Sequence, residues 1–330
     1  MGKDPRMNTF KAMLCAVAGM TVLMPGSASA ETVLRVGTFL PPQGVWHGPL
    51  EHFIETVNAK GSDIKLELVA DPSSVSPFQL GDAVSGGVVD IAYLSGAFYT
   101  NLVPEADANK LFNIPVAELR ENGAMDVLDQ IHRQKMGAVF LGKLGDGIKY
   151  HIYTDKESSE PRFEGWNMRG TPLYRPFMES LGVNVIQMQG SEVYSAMEGG
   201  VVDGYAWPLW GIKDLGLLEV TKYRVEPGFY NAEISVLFNE NSWNGLSEDQ
   251  QKMMQDATIE TEQWFIDYRN KIDDEQRSIQ DEAGIQPVTF SEEDSKAFVT
   301  AADKAGWDVV LKNSPENGER IKELTYQDNQ

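Results

Sequence analysis

The sequence predicts an α/β protein whose two lobes face one cleft. Three observations predict this fold. Strand and helix patterns alternate along the chain, the pentapeptide Gly-Gly-Val-Val-Asp occurs at 86–90 and again at 199–203, and a long helical stretch follows both copies. A chain of 330 residues, 42% hydrophobic and 23% charged, has the composition of a globular protein with two domains of ordinary size.

In the first half, the patterns predict strand, helix, strand, helix, strand. The second helix has Ser76 as a candidate N-cap, Pro77 in its first turn and the glycine pair at 86–87 as its end. Such alternation is typical of a mostly parallel sheet. The predicted elements are a strand at 33–36, a helix within 47–61, a strand within 63–71, a helix within 76–87 and a strand at 88–94.

The second half repeats this order. The helix before the second pentapeptide has Ser191 as its candidate N-cap and ends at the glycine pair 199–200. We interpret each pentapeptide as a sharp entry from a helix into a buried strand, and ligands bind beyond the carboxyl ends of such strands. The alternative is that Gly-Gly-Val-Val-Asp is a common turn-strand sequence that occurs twice by chance. The predicted elements are a strand and turn at 167–173, a helix within 174–182, a strand within 183–188, a helix within 191–200 and a strand within 201–207.

A continuous helical pattern over 247–284 is longer than one lobe needs, so it predicts a helix that bridges both lobes. One or two further helices are expected after Ser291. We place the lobe boundaries at 31–146 plus 232–271 for the first lobe, and at 147–231 plus 272–330 for the second.

The first thirty residues have the layout of a secretory signal peptide. Three basic residues precede an apolar run at 12–24, and small residues end at Ala30, where we expect cleavage. An uncleaved membrane anchor is the alternative, although the run is short for about 30 Å of hydrocarbon. The single cysteine, Cys15, lies inside this run, so the mature chain is expected to be exported, soluble and free of thiols.

Without residues 1–30 the formal net charge is −23, from 25 basic and 48 acidic side chains. Such a surface repels nucleic acid and anionic membranes. If the ligand is an anion, its capture must come from a few cations inside a cleft.

Recognised enzyme motifs do not occur. The chain has no phosphate-binding P-loop, no nucleophile elbow and no His-Glu-x-x-His helix, and its four histidines are not spaced as metal ligands. We therefore predict no catalytic residues, no metal and no cofactor.

Cations near the predicted cleft are few. Arg169 ends a strand immediately before a turn, where a guanidinium can hold a carboxylate, although an interlobe ion pair is an equal alternative. Lys149 is a second candidate, with a surface position as its alternative. Aromatic residues beside the predicted strand exits suggest an apolar pocket wall, and core packing is the alternative: Trp46, Phe98, Tyr99, Trp207 and Trp210.

The block from Arg169 to Gly204 resembles the solute-binding subunits of TRAP (tripartite ATP-independent periplasmic) transporters, in the dicarboxylate-type DctP family. The shared run comprises Arg169, Leu-Gly at 181–182, Glu-Val-Tyr at 192–194, Ala196, Gly200 and Val-Asp-Gly at 202–204. The stretches at 33–42, 80–93 and 246–257 also resemble sequence patterns of this family.

The resemblance implies a periplasmic binding protein-like fold that closes on an organic anion and delivers it to a membrane permease. It implies that Arg169 clamps the carboxylate. Lys149 stands where many members have a second arginine, so a second planar clamp is not expected. Ala206 precedes Trp207 where many members have an acid, which argues against a metal at the ligand.

From these residues we expect a high-affinity, non-catalytic binding protein for a small organic acid, monomeric and without affinity for nucleic acid. Two alternatives remain: a periplasmic enzyme acting on an organic acid, and a ligand sensor for a receptor kinase. Glu192 and Tyr194 are expected to brace the site. The predicted ligand-binding residues are Arg169, Lys149, Trp207, Trp210, Trp46, Ser95, Phe98 and Asn231.

Overall fold

The computed structural model of the chain describes residues 31–60 and 63–327. The predicted signal peptide at 1–30 lies outside the described residues. Within them, no helix has the length and apolar character that crossing a membrane requires.

Ten strands in the described residues form one continuous sheet, with the order β2-β1-β3-β9-β4-β7-β5-β6 and with β8 and β10 beside the end of β4. The strands are β1 (Thr32–Thr38), β2 (Ile64–Ala70), β3 (Ile91–Leu94), β4 (Ala138–Thr154), β5 (Asn167–Gly170), β6 (Asn184–Gln187), β7 (Gly204–Pro208), β8 (Tyr223–Glu226), β9 (Phe229–Asn239) and β10 (Gln286–Thr289).

The helices cover both ends of this sheet. They are α1 (Gly48–Ala59), α2 (Pro77–Ser85), α3 (Val116–Glu121), α4 (Ala124–Met136), α5 (Arg175–Ser180), α6 (Val193–Glu198), α7 (Glu240–Asn244), α8 (Glu248–Glu282), α9 (Glu292–Asn313) and α10 (Pro315–Thr325). The prediction of one or two helices after Ser291 is confirmed by α9 and α10.

Two parallel groups of strands are joined by a long antiparallel pair. Strands β2, β1 and β3 are parallel to one another, and so are β7, β5 and β6. We call the half around β1–β3 the first lobe and the half around β5–β7 the second lobe. Strand β4 pairs with β9 along its first part and then with β7 from Tyr150 to Thr154, so it passes from one lobe into the other.

The two copies of the pentapeptide fold alike. Gly87 and Gly200 both adopt positive φ, at 72° and 66°, a conformation open mainly to glycine. The Asp90 carboxylate accepts a hydrogen bond from the Arg35 backbone N–H at 2.8 Å, and Asp203 accepts one from the Asn167 N–H at 2.9 Å. Each aspartate thereby bonds to the neighbouring parallel strand, at the middle of β1 and at the first residue of β5. The interpretation of the repeat as a structural crossover is confirmed, but the predicted strand starts at 88 and 201 are wrong: the strands begin after the pentapeptides, at Ile91 and Gly204, and Val88 and Val201 are exposed in the turns.

Helix α1 shows why these segments pack as they do. Its residues Leu50, Phe53 and Val57 recur at helical spacing and are fully buried against the first lobe. Burial of each such side chain stabilises the fold by about 1.5–3 kcal/mol. In the second lobe, Val193 of α6 is buried in a cluster with Tyr153, the last-but-one residue of β4.

The predicted long bridging helix is confirmed as α8, whose 35 residues extend about 52 Å at 1.5 Å per residue. Its N-terminus carries a capping box between Ser247 and Gln250. Shortly before its midpoint, Glu262 pairs with Arg120 of the first lobe at 2.7 Å. Near its end, Gln280 donates to the Leu209 carbonyl of the second lobe at 2.9 Å.

The C-terminal helices also contact both lobes. Helix α9 packs against α5 and against a 3-10 segment, Pro104–Leu111, and α10 packs against that segment and α4. Within the segment, the fully buried Glu105 carboxylate accepts hydrogen bonds from Lys135 at 2.6 and 2.8 Å, from Ser314 at 2.5 Å and from Asn317 at 2.7 Å. Although burial opposes ionisation, these donors lower the pKa of Glu105 to about 2.

One predicted helix cap is wrong. Ser191 lies inside a short 3-10 turn, and α6 begins two residues later at Val193. The capping box is formed instead by Gln189 and Glu192, whose carboxylate accepts the Gln189 N–H at 2.6 Å. Glu192 lies three residues after Gln189, the spacing at which a side chain reaches back to the backbone N–H of the cap residue. Ser191 lies inside the turn that this pair closes, so it is not the cap. Ser76 does occupy the N-cap position of α2, without a side-chain bond to the helix, and Pro77 lies in the first turn as predicted.

Candidate functional site

A cavity of about 1370 Å³ lies between the two lobes. It exceeds the roughly 300–1000 Å³ of an ordinary small-molecule pocket, which leaves room for a ligand. The first lobe contributes loops after β1 and β3, and the second lobe contributes the ends of β5, β6 and β7. These are carboxyl ends of parallel strands, the position at which open α/β sheets bind ligands.

Arg169 lines this cavity from the end of β5 and is 6% exposed. Its Nη1 donates to the Tyr174 hydroxyl at 2.7 Å and to the Ala206 carbonyl at 3.3 Å, and its Nε donates to the Met188 carbonyl at 3.3 Å. Among the described residues no carboxylate pairs with this guanidinium, and its Nη2 donates to none of their atoms. A buried cation without an anion is costly, so the site provides a strong position for an anionic group.

Trp207 places its ring against this guanidinium, with the Arg169 Cζ 4.8 Å from the ring centroid. The indole fits because position 190 is a glycine. A Cβ added there would come within 2.8 Å of the indole carbon Cη2. The tryptophan ring therefore packs on the guanidinium and forms part of the apolar wall.

Three more of the predicted residues line the cavity from the first lobe: Trp46, Ser95 and Phe98. The Phe98 ring packs between Phe39, at 5.2 Å between centroids, and Phe78, at 5.1 Å. This aromatic group faces the basic and polar residues of the second lobe, so the cavity has one largely apolar wall.

Three predicted residues do not line the cavity. Trp210 is fully buried behind it, where its Nε1 donates to Asp273 of α8 at 2.6 Å. The Asn231 amide donates to the Phe112 carbonyl at 2.5 Å and is also buried. Lys149 is exposed on β4. Lys149, the second predicted cation, is therefore not among the residues that line this cavity.

The two predicted bracing residues lie in different surroundings. Glu192 lines the cavity, and its carboxylate is used in the capping box described above. The Tyr194 hydroxyl donates to Glu219 at 3.1 Å, outside the cavity lining.

Sequence reasoning missed several polar residues of the cavity wall, and three of them bear on its chemistry: Tyr150, Tyr174 and Glu233. Tyr174 carries the hydroxyl that accepts from Arg169 and donates to the Ala206 carbonyl at 2.9 Å. Glu233 is 4% exposed, and burial raises its pKa. A signal was present, because an isolated glutamate inside the apolar run of β9 is an unusual residue for a buried strand.

The histidine, cysteine and acidic side chains of residues 31–60 and 63–327 form no group of three or more that could hold a metal ion. The cavity instead combines one cation, one buried carboxylate and an aromatic wall. This combination suits a small organic molecule with a charged end.

Comparison with known proteins agrees with this geometry. The model of the family described as bacterial extracellular solute-binding protein, family 7 (DctP) matches residues 36–312. A solute-binding protein of Roseobacter denitrificans is 26% identical over 325 residues, which cover 95% of this chain and 97% of that protein. A monocarboxylate 2-oxoacid-binding periplasmic protein of Nostoc sp. is 25% identical over 289 residues, 84% of this chain and 76% of that protein.

Solved structures share the fold. A TRAP periplasmic solute binding protein from Desulfovibrio salexigens, with bound orotic acid, has a TM-score of 0.76 and 21% identity, covering 89% of this chain and 97% of that one. An apo open structure from Marinobacter aquaeolei has a TM-score of 0.78 and 20% identity, covering 89% and 100%. The predicted two-lobed, periplasmic binding protein-like fold is confirmed.

The family match extends over more than four fifths of the sequence. The chain therefore belongs to the bacterial extracellular solute-binding proteins of family 7, the DctP family, which confirms its resemblance to the solute-binding subunits of TRAP transporters.

Proposed function

We propose that this protein captures a small organic acid in the cleft between its lobes and delivers it to a TRAP-type membrane permease. One observation carries the proposal: the buried Arg169 guanidinium opens on the cavity and has no carboxylate partner among the described residues. The ligand carboxylate supplies that partner through Nη2, in charge-assisted hydrogen bonds.

The aromatic wall receives the body of the ligand. Trp207 stacks beside the carboxylate end, and Trp46, Phe98 and Ser95 contact the remainder from the first lobe. Trp210 acts from behind, by holding the loop after β7 to helix α8.

Relatives support an acidic ligand. Their names include proteins that bind 2-oxoacids in Nostoc sp. and 2,3-diketo-L-gulonate in Escherichia coli. Structures with the same fold hold L-galactonate, L-gulonate and β-D-galacturonate. Each of these compounds carries a carboxylate, the group that Arg169 suits.

The proposal includes the setting in which the protein works. The chain acts in the periplasm after cleavage at Ala30, as a monomer, without nucleic acid and without altering its ligand. The segments 31–146 plus 232–271 close on 147–231 plus 272–330 by a hinge. Size-exclusion chromatography with light scattering tests the monomer, and recovery of the bound acid unchanged tests the lack of catalysis.

A thermal-shift screen tests the central claim. The purified mature chain is heated with monocarboxylates, dicarboxylates, 2-keto acids, sugar acids and aromatic acids, each paired with its neutral amide or alcohol. An acid present at one hundred times its dissociation constant should stabilise the fold by about 2.7 kcal/mol, whereas the neutral partner should not. Stabilisation by neutral compounds alone would overturn the proposal. Uptake of the identified acid by proteoliposomes that contain the permease then tests delivery.

A further inference from the structure

A second unpaired charge lies in the same cavity. Glu233, on β9, lines the cavity and is buried. Its Oε1 accepts hydrogen bonds from the Ser95 hydroxyl at 2.8 Å and from the Gly96 N–H at 2.6 Å, and its Oε2 accepts one from the Ser235 hydroxyl at 3.2 Å. All three donors are neutral, and the single weak bond to Oε2 leaves that atom free to accept another.

Within residues 31–60 and 63–327, no lysine, arginine or histidine forms an ion pair with Glu233. The two other acidic residues of the cavity wall are already engaged or exposed. Asp107 pairs with Lys110 at 2.7 Å, and Glu192 is exposed and accepts the Gln189 N–H in the capping box of the 3-10 turn before α6. Lys143 and Lys110 both attract Glu233 from a greater distance, while the Lys143 Nζ is bonded to Asp146 at 3.0 Å and the Lys110 Nζ to Asp107.

Glu233 and Arg169 are therefore two charges of opposite sign on the wall of one cavity, and neither has a directly bonded counterion among the described residues. Tyr150, also on that wall, experiences both: Glu233 raises the pKa of its hydroxyl and Arg169 lowers it, beside the larger effect of burial. A simple alkyl acid would satisfy only the cation. A dicarboxylate would place its second carboxylate in the electrostatic field of Glu233, which is unfavourable for two like charges in a poorly solvated site.

We propose that the site selects organic acids that also carry a hydrogen-bond donor, a hydroxyl or an ammonium group, which Glu233 accepts when Arg169 holds the carboxylate. This inference rests on the proposed function, since it assigns the second end of the same ligand. Because burial raises the pKa of Glu233, a donor from the ligand replaces solvation that the carboxylate has lost. Ser95 and Gly96 hold the carboxylate in place for that contact.

Two matched series of probes test the inference by isothermal titration calorimetry. The four-carbon series is 4-hydroxybutyrate, 4-aminobutyrate, butyrate and succinate, and the six-carbon series is L-gulonate, 6-aminohexanoate, hexanoate and adipate. In at least one series, the wild-type protein should bind a donor-bearing acid at least tenfold more tightly than the alkyl acid and the diacid of the same length. The hydroxyl and amino probes within a series distinguish the two kinds of donor.

The variant Glu233→Gln removes the charge and keeps the shape of the side chain. It should lower the preference for donor-bearing acids at least tenfold and should bind the diacid at least fivefold more tightly than the wild type does. An unfolded protein cannot gain affinity, so the second effect separates selectivity from instability. Glu179→Gln, at an exposed carboxylate paired with Arg175 on α5, is the matched control and should leave the order of probes unchanged.

Each outcome has a definite meaning. If alkyl acids or diacids bind the wild type as tightly as donor-bearing acids do, the inference is wrong while the proposed function stands. The same holds if Glu233→Gln changes all affinities by one common factor. If that variant does not fold, Glu233→Asp, which retains the charge, should preserve the order of probes at lower affinity, and a changed order contradicts the inference. If acids of neither series bind the wild type, the proposed function fails for these acids, and the inference fails with it.

Discussion

Replacement of Arg169 is the most direct perturbation of the site. Its Nη2 group retains two N–H donors toward the cavity, while Nη1 and Nε are held by Tyr174, Ala206 and Met188. Each charge-assisted hydrogen bond to a ligand carboxylate is worth about 1.5–3 kcal/mol. Removal of one partner from a buried ion pair costs about 3–5 kcal/mol, because the other charge stays buried and unpaired. Arg169→Ala should therefore weaken acid binding by about two to four orders of magnitude.

The comparison of alanine with lysine refines this prediction. Arg169→Lys keeps a charge but loses the planar group that three protein acceptors now orient, so it should recover only part of the affinity. Titration calorimetry at fixed ionic strength measures both variants. Arg175→Ala, which removes a half-exposed arginine on the same lobe, serves as the matched control. A folded Arg169→Ala variant whose dissociation constant lies within threefold of the wild-type value would refute the reasoning.

Three further perturbations follow from the structure. Trp207→Ala removes the ring that packs on Arg169 at 4.8 Å and should weaken acid binding about five- to tenfold, measured by the same titration. Glu105→Gln should destabilise the fold by about 2–3 kcal/mol at pH 7 in urea denaturation. Because the folded-state pKa of Glu105 is about 2, below its usual 4.5, this contribution is complete above pH 4.5 and disappears as the pH falls toward 2. Finally, raising the ionic strength from about 10 to 150 mM shortens the Debye length from about 30 to 8 Å, so it should accelerate association of an anionic ligand with this acidic protein in stopped-flow fluorescence.

Each of these predictions has a contrary outcome. Unchanged affinity in Trp207→Ala would mean that the ring does not position the guanidinium. A stability difference for Glu105→Gln that persists at pH 2 would mean that the carboxylate charge is not what its donors stabilise. An association rate that falls with salt would mean that the local potential of the cleft, rather than the net charge of −23 that the chain has without residues 1–30, guides the ligand.

Local sequence patterns were sufficient for the parallel parts of the sheet. Gly87 and Gly200 mark the helix ends, because their positive φ is inaccessible to most residues. The long antiparallel pair of β4 and β9 was not predicted. Its register shifts several times between Phe140 and Tyr150, so apolar and polar residues do not alternate there with a regular period of two.

The sequence also could not show which of two neighbouring candidate residues would line the cavity. Lys149 and Tyr150 are neighbours on β4, and successive side chains of a strand point to opposite faces. Tyr150 lines the cavity and Lys149 is exposed, a difference that requires the register of the strand. Trp207 and Trp210 present the same difficulty. They lie three residues apart in the sequence, on either side of Pro208. Only the folded loop shows that Trp207 lies at the cavity and that Trp210 is bound to Asp273 of α8.

At one equivalent position of the repeated crossover the two lobes carry different residues. Backbone pairing makes Asp90 equivalent to Asp203, so Gly37 on β1 is equivalent to Arg169 on β5. A Cβ at Gly37 would lie 2.7 Å from the Leu80 side chain, and that position therefore has no room for a functional group. At the equivalent position of the second lobe a guanidinium reaches the cavity. The shared turn thus fixes where each strand begins, and the difference between the two copies determines which lobe presents a guanidinium to the cavity at this position.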